Sequence, residues 1–486
     1  MDIEDADGFF RDVAQRQRHE RHPPSLAPVV QLGGDSQNGR HNHWQRAVEG
    51  AHCRRMRVLL LAYYFPPDGG PGAQRPISFA RHLPASGHEV VVVTRSAAGA
   101  RGRFDPADAT GLEAIERGCE VVRAAPAGTS GATGLSSVLA ALVTAGDAAI
   151  RRHRPEVVLV TMSPFELWRV AATLGDRHDI PVVADLRDPW AFDGVQNYRS
   201  WLRWRREWRQ MRAMLRRADG VIANTPECET LFRRCLPRSS ADRVVLIPNG
   251  WDRDDFAGPP REIPPGDTLT LVYGGTFLCS ELYQQERLAR RVFGWMRYAP
   301  EPIEPSGRTP QHLLGAMRRL RERKAPAAAA LRFTAIGTID AALQRCVRDS
   351  GMADRVELRD YQSHSQLIAA IRAADALFLT LHGLRDGHRS RIVPGKTYEY
   401  LATGRPILAA LPEGDARELV ARSPRSLLCK PCIEEEIADR LEELHRNWRR
   451  GEYRGSLSAE AFANWERRKL CDRLAAFLSQ VITQTL

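Results

Sequence analysis

The chain of 486 residues is longer than one hydrophobic core supports, so at least two domains are expected. Hydrophobic residues make up 43% and aromatic residues 7% of it, which excludes disorder over most of its length. Arginine scattered along the chain carries most of the basic charge behind the net +11, a pattern that argues against a nucleic-acid binder but suits phosphates or anionic lipid head groups.

Residues 1–55 are polar and lack periodicity, so they are predicted to be either a disordered N-terminal extension or an artefact of an upstream start. A buried-strand pattern begins directly after Met56, and short apolar runs then alternate with helical stretches. These runs are Val90–Thr94, Val157–Thr161, Val182–Asp185, Val221–Ala223 and Val244–Pro248. Continuous Val, Ile and Leu runs between helices are typical of a parallel sheet buried on both faces. Residues 56–252 are therefore predicted to form an N-terminal α/β domain.

A second α/β domain is predicted over residues 267–455, after a linker at 253–266 that is rich in Pro, Gly and Asp. Its apolar runs are Leu269–Tyr273, Leu331–Ile336, Val356–Leu358, Ala376–Leu381 and Ile407–Ala410. A mixed segment from Leu278 to about Gly307 interrupts the rhythm and is predicted to be an insertion on the cleft side. Residues 456–486 are predicted to be helices that pack back on the first domain. The expected fold is two doubly wound, Rossmann-like domains that face each other across a cleft.

Nine cysteines without framework spacing favour a reducing compartment over a disulfide scaffold. The C-x-x-C pair Cys429 and Cys432 has no second pair at zinc-ribbon spacing, so we interpret both as ordinary thiols. No apolar stretch approaches the roughly 20 residues that span a bilayer, and the first residues lack the pattern of a signal peptide. A cytoplasmic protein is expected, with membrane contact as an option.

A glycine-rich loop, Pro66-Pro-Asp-Gly-Gly-Pro-Gly-Ala73, lies between the first strand and a predicted helix at Gln74–Leu83. Gly69, Gly70 and Gly72 allow a phosphate to approach the backbone, and the helix N-terminus favours an anion there. A tight turn between strand and helix is the alternative. Because G-x-G-x-x-G is not satisfied, dinucleotide binding is not supported.

A second motif runs from Arg391 to Leu408 and contains Gly395-Lys396-Thr397. It is not a P-loop, because the first glycine of that motif would fall at Ser390 and because Pro394 disrupts the loop. What remains is a glycine loop that leads into a helix carrying Glu399, followed by a buried strand.

The pattern P-x-K-x-x-E-Y-L-A-x-G-x-P-I-L of this second motif resembles the donor-binding segment of glycosyltransferase family 4, the retaining enzymes of the GT-B fold. The order of further stretches is similar to that of exopolysaccharide-type bacterial members over roughly residues 56–470. These stretches are Tyr63–Arg75, Ala184–Trp190, Ala218–Thr225, Ile247–Asp252 and Val272–Thr276. The resemblance implies a glycosyltransferase of polysaccharide biosynthesis, with an acceptor-side first domain and a nucleotide-sugar-binding second domain.

The resemblance also implies roles for individual residues. Glu399 would accept hydrogen bonds from the donor ribose hydroxyls, while Lys396 and Arg308 would face the donor diphosphate. The implied donor site comprises Gly274, Gly275, Arg308, Arg391, Gly395, Lys396 and Glu399. The nucleotide-sugar is then a substrate, and no cofactor is expected. At position 391 the family usually carries glutamate, so Arg391 leaves the transferred sugar open: it would bind phosphate or a sugar carboxylate, or face solvent.

A third cluster, Asp185, Arg187 and Asp188, follows the carboxyl end of a predicted strand, where ligands bind in open α/β sheets. Asp188 and Arg187, together with Lys396, are the predicted catalytic residues, with Asp188 orienting the acceptor. An ion pair of Arg187 with a local carboxylate is the structural alternative. Asp252-x-Asp254 falls in the linker and is interpreted as turn chemistry, so no metal is expected.

A basic helix is predicted around Trp201, Trp204, Trp208, Met211 and Leu215, which recur at helical spacing among seven arginines. Such a helix lies in an anionic membrane interface or packs its apolar stripe on the first domain. The leading function is sugar transfer from a nucleotide-sugar to a lipid-linked glycan or other saccharide. A nucleotide-sugar epimerase and a non-catalytic GT-B scaffold protein are the alternatives.

Overall fold

The computed structural model describes residues 54–96, 112–125, 134–194, 196, 198–258, 266–278, 298–301, 303–454 and 459–485. The predicted extension at 1–55 and insertion at 278–307 therefore lie largely outside the described residues. One compact unit, residues 52–384 and 389–486, contains both sheets. The described part of a second unit is Arg385–His388, a turn in which the His388 N–H donates to the Arg385 carbonyl (3.1 Å).

The first domain is built on a seven-stranded parallel sheet of order β3-β2-β1-β4-β5-β6-β7. Its strands are β1 Arg57–Ala62, β2 Glu89–Arg95, β3 Glu120–Ala124, β4 Val157–Met162, β5 Val182–Leu186, β6 Gly220–Ala223 and β7 Val244–Leu246. The central strands β1 and β4 are buried almost along their whole length because helices cover both faces. In the register, Val58 of β1 lies opposite Val90 and Val157 of its two neighbours.

Helices of the first domain form two layers on this sheet. Their bounds are α1 Pro71–Ala85, α2 Leu112–Glu116, α3 Leu135–His153, α4 Leu167–His178, α5 Trp201–Arg217 and α6 Pro226–Cys235. Helices α3 to α6 pack on one face, and α1 and α2 pack on the other. The N-terminus of α6 is capped by Thr225, whose hydroxyl accepts from the Cys228 N–H, with Pro226 as the first helical residue.

The second domain is built on a six-stranded sheet of order β11-β10-β8-β12-β14-β15, with parallel pairing throughout. Its strands are β8 Leu269–Gly274, β10 Leu331–Ile336, β11 Val356–Arg359, β12 Ala376–Thr380, β14 Ile407–Ala410 and β15 Ser426–Cys429. Its helices are α7 Gln311–Glu322, α8 Pro326–Ala330, α9 Ala341–Asp349, α10 His364–Ala373, α11 Gly395–Ala402, α12 Asp415–Val420 and α13 Glu434–Arg449. A separate antiparallel pair joins β9 Ile303–Glu304 to β13 Gly383–Leu384.

The last helix, α14 Arg467–Thr485, returns to the first domain. Its apolar residues, including Leu470, Leu474 and Leu478, lie in the core between α1 and the first sheet. Where the chain crosses back, the Trp251 N–H donates to the Trp465 carbonyl (3.1 Å). The two crossings of the chain between the domains therefore lie side by side.

The carboxyl ends of the two sheets face each other. Tyr198, which follows β5, forms an antiparallel bridge with Tyr298, which follows β8. Thr225, which follows β6, donates its hydroxyl proton to the carbonyl of Arg391 in the second domain (2.9 Å). The predicted fold of two doubly wound domains is confirmed. The edge strands β3 and β15 and the short β9–β13 pair are additions to the predicted strands.

Candidate active site

Two positions of the glycine-rich loop favour glycine. One has a positive φ, and at the other a side chain would pack tightly against a neighbouring ring. Gly70 has φ +82°, and helix α1 begins at Pro71 directly after it. A Cβ on Gly72 would lie 3.2 Å from the ring of Tyr64. Asp68 anchors the loop through a buried ion pair with Arg95 (2.9 Å). Gly69 is buried beside it, so the loop presents backbone at the carboxyl end of β1.

Asp185 at the end of β5 is fully used within the protein. Both of its carboxylate oxygens accept from Arg75 of α1 at 2.7 to 2.9 Å, and the pair is buried. The remaining Arg75 N–H groups donate to the carbonyls of Ile247 and Pro248. Asp185 is therefore a structural residue that joins α1, β5 and the end of β7, and it is not placed to orient an acceptor.

Arg187 holds the glycine-rich loop in place. Its guanidinium donates to the carbonyl of Gly72 (2.5 Å) and to that of Met162 at the end of β4 (3.1 Å). Burial lowers the pKa of Arg187, although the charges of Asp188 and Asp185 oppose this. Arg187 therefore donates its hydrogen bonds to backbone carbonyls. It does not form the hydrogen-bonded ion pair with a local carboxylate that was the alternative interpretation of the sequence. Asp188 has no hydrogen-bond or ion-pair partner among the described residues and is partly exposed.

Helix α11 carries Lys396 to the end of strand β8. The Lys396 ammonium lies 4.0 Å from the ring centroid of Tyr273, and a Cβ on Gly275 would lie 2.3 Å from it. Gly275 has φ +135°, a conformation that side chains rarely adopt. No carboxylate pairs with Lys396 in the described part of the chain. Lys396 therefore carries a positive charge that no carboxylate among the described residues balances.

Glu399, one turn further along α11, is buried but engaged through one oxygen only. Its Oε1 accepts from His364 Nε2 (3.0 Å) and lies 3.8 Å from Arg467 Nη2. Its Oε2 has no hydrogen-bond partner among the described residues, and it does not belong to the fully buried polar atoms that lack a partner. Burial favours a higher pKa for Glu399, but the hydrogen bond and charge of His364 lower it. The lowered pKa favours the ionised carboxylate, and one of its oxygens has no hydrogen-bond partner among the described residues.

A network of buried charges that the sequence does not signal lies behind Glu399. Asp252 pairs with Arg467 (2.7 Å) and with His82 Nε2 (2.6 Å). Burial would raise the pKa of Asp252, but Arg467 and His82 lower it far below its ordinary range. Its carbonyl does take part in the predicted turn, accepting from the Asp255 N–H (3.2 Å). The interpretation of Asp252 as a turn residue therefore describes its backbone, but it does not account for the buried ion pairs of its side chain.

The Arg391 side chain is 25% exposed, so it is neither fully buried nor fully turned to solvent. Its guanidinium pairs with Glu301, which follows the undescribed segment after β8. Its carbonyl accepts from Thr225 (2.9 Å) and lies 3.7 Å from Cys228 Sγ, so it touches the N-terminus of α6 in the first domain. Asp415 adds a contact there, because its carboxylate accepts from the N–H of Glu227 (3.0 Å).

The other predicted donor residues have mixed surroundings. A Cβ on Gly274 would lie 2.7 Å from the end of the Leu367 side chain, which would have to shift, whereas one on Gly395 would have nothing within 4 Å. Arg308 ends the short 3-10 turn Pro305–Arg308, which is held to β12 because Thr380 donates to the Gly307 carbonyl (2.6 Å). Burial and the nearby charge of Arg308 lower the pKa of His382 to about 4.

Helix α5 uses part of its apolar stripe for packing. Trp204, Met211, Met214 and Leu215 are buried in the core of the first domain. Trp201 and Leu202 at its N-terminus remain 45% and 71% exposed.

Within the described residues no helix is long and apolar enough to cross a membrane. No cluster of three or more His, Cys, Asp or Glu suited to a metal occurs in the same part of the chain.

Two family models match the chain, one on each domain. Residues 69–250 match the Glycosyl transferase 4-like domain, and residues 307–447 match Glycosyl transferases group 1. The first match contains the three glycines of the glycine-rich loop and Asp188, and the second contains Arg308, Lys396 and Glu399. No curated protein matches the chain significantly.

Solved structures share the fold at low identity. Sucrose-phosphate synthase from Thermosynechococcus elongatus is similar with a TM-score of 0.62 and 16% identity over 88% of this chain and 100% of that one. A glycosyltransferase from Rickettsia africae is similar with a TM-score of 0.55 and 11% identity, over 89% of this chain and 99% of that one. A putative UDP-N-acetylglucosamine 2-epimerase from Listeria monocytogenes is similar with a TM-score of 0.51 and 13% identity, over 86% of this chain and 95% of that one. From the two family matches and this shared two-domain architecture, the chain is a glycosyltransferase of the GT-B fold.

Proposed function

We propose that the chain transfers a sugar from a nucleotide-sugar donor to a lipid-linked glycan or other saccharide acceptor, with retention of anomeric configuration. One observation carries the donor part of this proposal. Helix α11 presents an ammonium without a described acidic partner and, three residues later, a carboxylate with one oxygen that has no hydrogen-bond partner among the described residues. A diphosphate and a vicinal diol, both present in a nucleotide-sugar, have the complementary chemistry.

On the donor side, Glu399 Oε2 accepts a hydrogen bond from the ribose, and charge assistance makes that bond strong. Lys396 and Arg308 approach the diphosphate, and they stabilise the negative charge that develops on the leaving phosphate. The Gly274–Gly275 backbone at the end of β8 leaves room for the diphosphate beside Lys396. The nucleotide-sugar is the only small molecule that this chemistry requires, and we expect no metal.

On the acceptor side, Asp188 orients the attacking hydroxyl, and Arg187 acts through the glycine-rich loop that it holds. The described surroundings of Asp188 supply neither a hydrogen bond nor an ion pair, which leaves its carboxylate for a sugar hydroxyl. In front-face attack the leaving phosphate takes the acceptor proton, so Asp188 need not be a base. This route gives retention.

A membrane contact fits a lipid-linked acceptor. Positions 202, 206, 209 and 216 lie on one face of α5, where Leu202 is followed by three exposed arginines, Arg206, Arg209 and Arg216. Exposed Trp201 and Leu202 beside this arginine face suit an anionic bilayer interface. Replacing the three arginines by Gln should abolish sedimentation with phosphatidylglycerol vesicles. Arg238→Gln, an exposed arginine elsewhere, is the control and should still sediment.

The deciding experiment is calorimetric titration with UDP-, GDP- and dTDP-sugars, followed by NMR of the anomeric proton in the product. We expect one nucleotide class to bind, and at about a hundred times its Kd it should add roughly 2.7 kcal/mol of stability. Binding by none of these donors would contradict the proposal. An inverted product would contradict only the retaining mechanism.

The epimerase alternative is supported by the Listeria epimerase of the same fold, although the two sugar-transfer family matches weigh against it. Incubation with donor alone distinguishes the two, because epimerisation needs no acceptor. A scaffold protein, suggested by arginine at position 391, would bind donor without turnover of any acceptor.

A further inference from the structure

Arg467 bridges two buried carboxylates that belong to different parts of the molecule. It is the first residue of α14, and its own N–H donates to the carbonyl of Trp251 (2.9 Å). One guanidinium nitrogen, Nη1, lies 2.7 Å from Asp252 Oδ2, and the other, Nη2, lies 3.8 Å from Glu399 Oε1. The planar guanidinium allows both contacts at once, which a single ammonium does not.

Charge balance around Asp252 alone does not explain this bridge. Asp252 also pairs with His82 (2.6 Å), and Arg81 lies 3.8 Å away, so Arg467 is one of several basic neighbours of this carboxylate. Glu399 is also buried and has His364 as its other cationic partner. Both cations approach Oε1, so together they hold the carboxylate from one side, and Oε2 has no hydrogen-bond partner among the described residues.

We propose that Arg467 is a positioning residue for the donor, which acts by holding the Glu399 carboxylate in the orientation that binds ribose. This inference rests on the proposed role of Glu399. It adds that a residue of the C-terminal helix, packed on the first domain, sets the geometry of a ligand group in the second domain. Through Asp252 and His82 the same ion network reaches α1, whose N-terminus follows the glycine-rich loop.

A double-mutant cycle tests the coupling. Donor Kd is measured by calorimetry for Arg467→Gln, Glu399→Gln and the double variant. We expect Arg467→Gln to weaken donor binding about tenfold in the wild-type background and less than about twofold in the Glu399→Gln background. A residue that only supports the fold would give the same factor in both backgrounds, and that result overturns the inference.

Two further variants separate a positioning role from a loss of folding. Arg467→Lys keeps a cation for Asp252 but lacks the second nitrogen, so it should keep the melting temperature and still weaken donor binding about threefold. Wild-type affinity in this variant contradicts the bridge even if Arg467→Gln does not fold. Arg253→Gln is the matched control, because Arg253 lies at the same crossing but pairs with Glu466 and Glu460. It should leave donor Kd within about twofold.

The cycle also separates the two proposals. If Glu399→Gln binds donor as tightly as the wild type, the proposed donor role of Glu399 is wrong. If Glu399→Gln is weak but the effect of Arg467→Gln is undiminished in its background, the donor role survives and the positioning role of Arg467 is wrong.

Discussion

Two buried carboxylates at corresponding edges of the two sheets show different chemistry. Asp185, at the end of β5, gives both oxygens to Arg75 and has no capacity left for a ligand. Glu399, in the helix beside the end of β8, gives only Oε1 to the protein. Both residues belong to motifs that sequence reasoning selected, and both are buried.

The difference teaches that burial and position at a sheet edge do not identify a ligand group. What distinguishes the two is the number of carboxylate oxygens that the protein itself satisfies. In the first domain charged groups fix the loops, as Asp68, Asp185 and Arg187 do. In the second domain, within the described residues, Lys396 has no acidic partner and Glu399 uses only one carboxylate oxygen.

The largest effect is expected from Arg75→Met. Removing one partner of a fully buried ion pair leaves Asp185 charged and uncompensated, which should lower the free energy of unfolding by about 3–5 kcal/mol. Urea denaturation followed by tryptophan fluorescence measures it. The comparison predicts a smaller loss, below about 1.5 kcal/mol, for Glu399→Gln. Equal losses in both variants would remove the distinction between the two carboxylates.

Gly70→Val should lower turnover about a hundredfold, or about 2.7 kcal/mol in the activation barrier, while donor affinity stays within about threefold. The physical reason is that φ +82° strains any side chain and that a branched one would block approach to the loop backbone. Steady-state kinetics together with donor calorimetry measure both quantities.

The matched control for this prediction is Gly87→Val. Gly87 has φ +90° but lies in the turn after the other end of α1, with nothing within 4 Å of its Cβ direction. It carries the same kind of backbone strain away from the site, so it should keep normal turnover. Normal turnover in Gly70→Val as well would show that the glycine-rich loop is only a turn.

Glu399→Gln should weaken donor binding by about 1.5–3 kcal/mol, roughly tenfold to a hundredfold. The amide keeps the shape of the side chain but loses the charge-assisted acceptor. Glu413→Gln provides the control, since Glu413 is an exposed residue paired with Arg417. If both variants bind nucleotide-sugar like the wild type, the accessible Oε2 is not a ligand group.

The smallest effect is a pH dependence of stability from His364. Burial alone would lower its pKa, but the hydrogen bond and charge of Glu399 and the charge of Asp255 raise it above the ordinary 6.5, against the opposing charge of Arg467. A raised pKa means that the stabilisation is full below pH 6.5 and is lost as pH rises through the raised value. We expect a loss of about 1 kcal/mol, or about 2–4 °C in melting temperature.

Thermal melts between pH 6 and 9 test this, with His364→Gln as the comparison. The variant lacks the titrating group, so its melting temperature should change less over this range than that of the wild type. Parallel curves for the two proteins would mean that the ion pair with Glu399 contributes nothing that depends on pH.

Local patterns predicted most of the fold. The buried runs of β1, β4, β12 and β14 are continuous and apolar, which is why they were recognisable. Strand β3 was missed because its sequence, Glu-Val-Val-Arg-Ala, alternates weakly and is only half-buried at the sheet edge. Strand β15 is likewise a four-residue edge strand.

The site was only partly accessible from sequence. Lys396 and Glu399 were recognisable because one short helix carries both. The partners His364, Arg467 and Glu301 were not, because they come from distant parts of the chain and have no motif of their own. The resemblance grouped Gly274 with the ligand residues, and the structure adds contacts that the sequence did not signal, with Leu367 and with the Tyr400 hydroxyl.

The return of α14 to the first sheet has a consequence for how the chain is made. The first domain is discontinuous in sequence, because its core includes Leu470, Leu474 and Leu478 from the last helix. During synthesis this core stays uncovered until more than two hundred further residues have been added. The strands and helices from β8 to α13 are translated before α14, so the first domain can complete its core only after most of the second domain has been made.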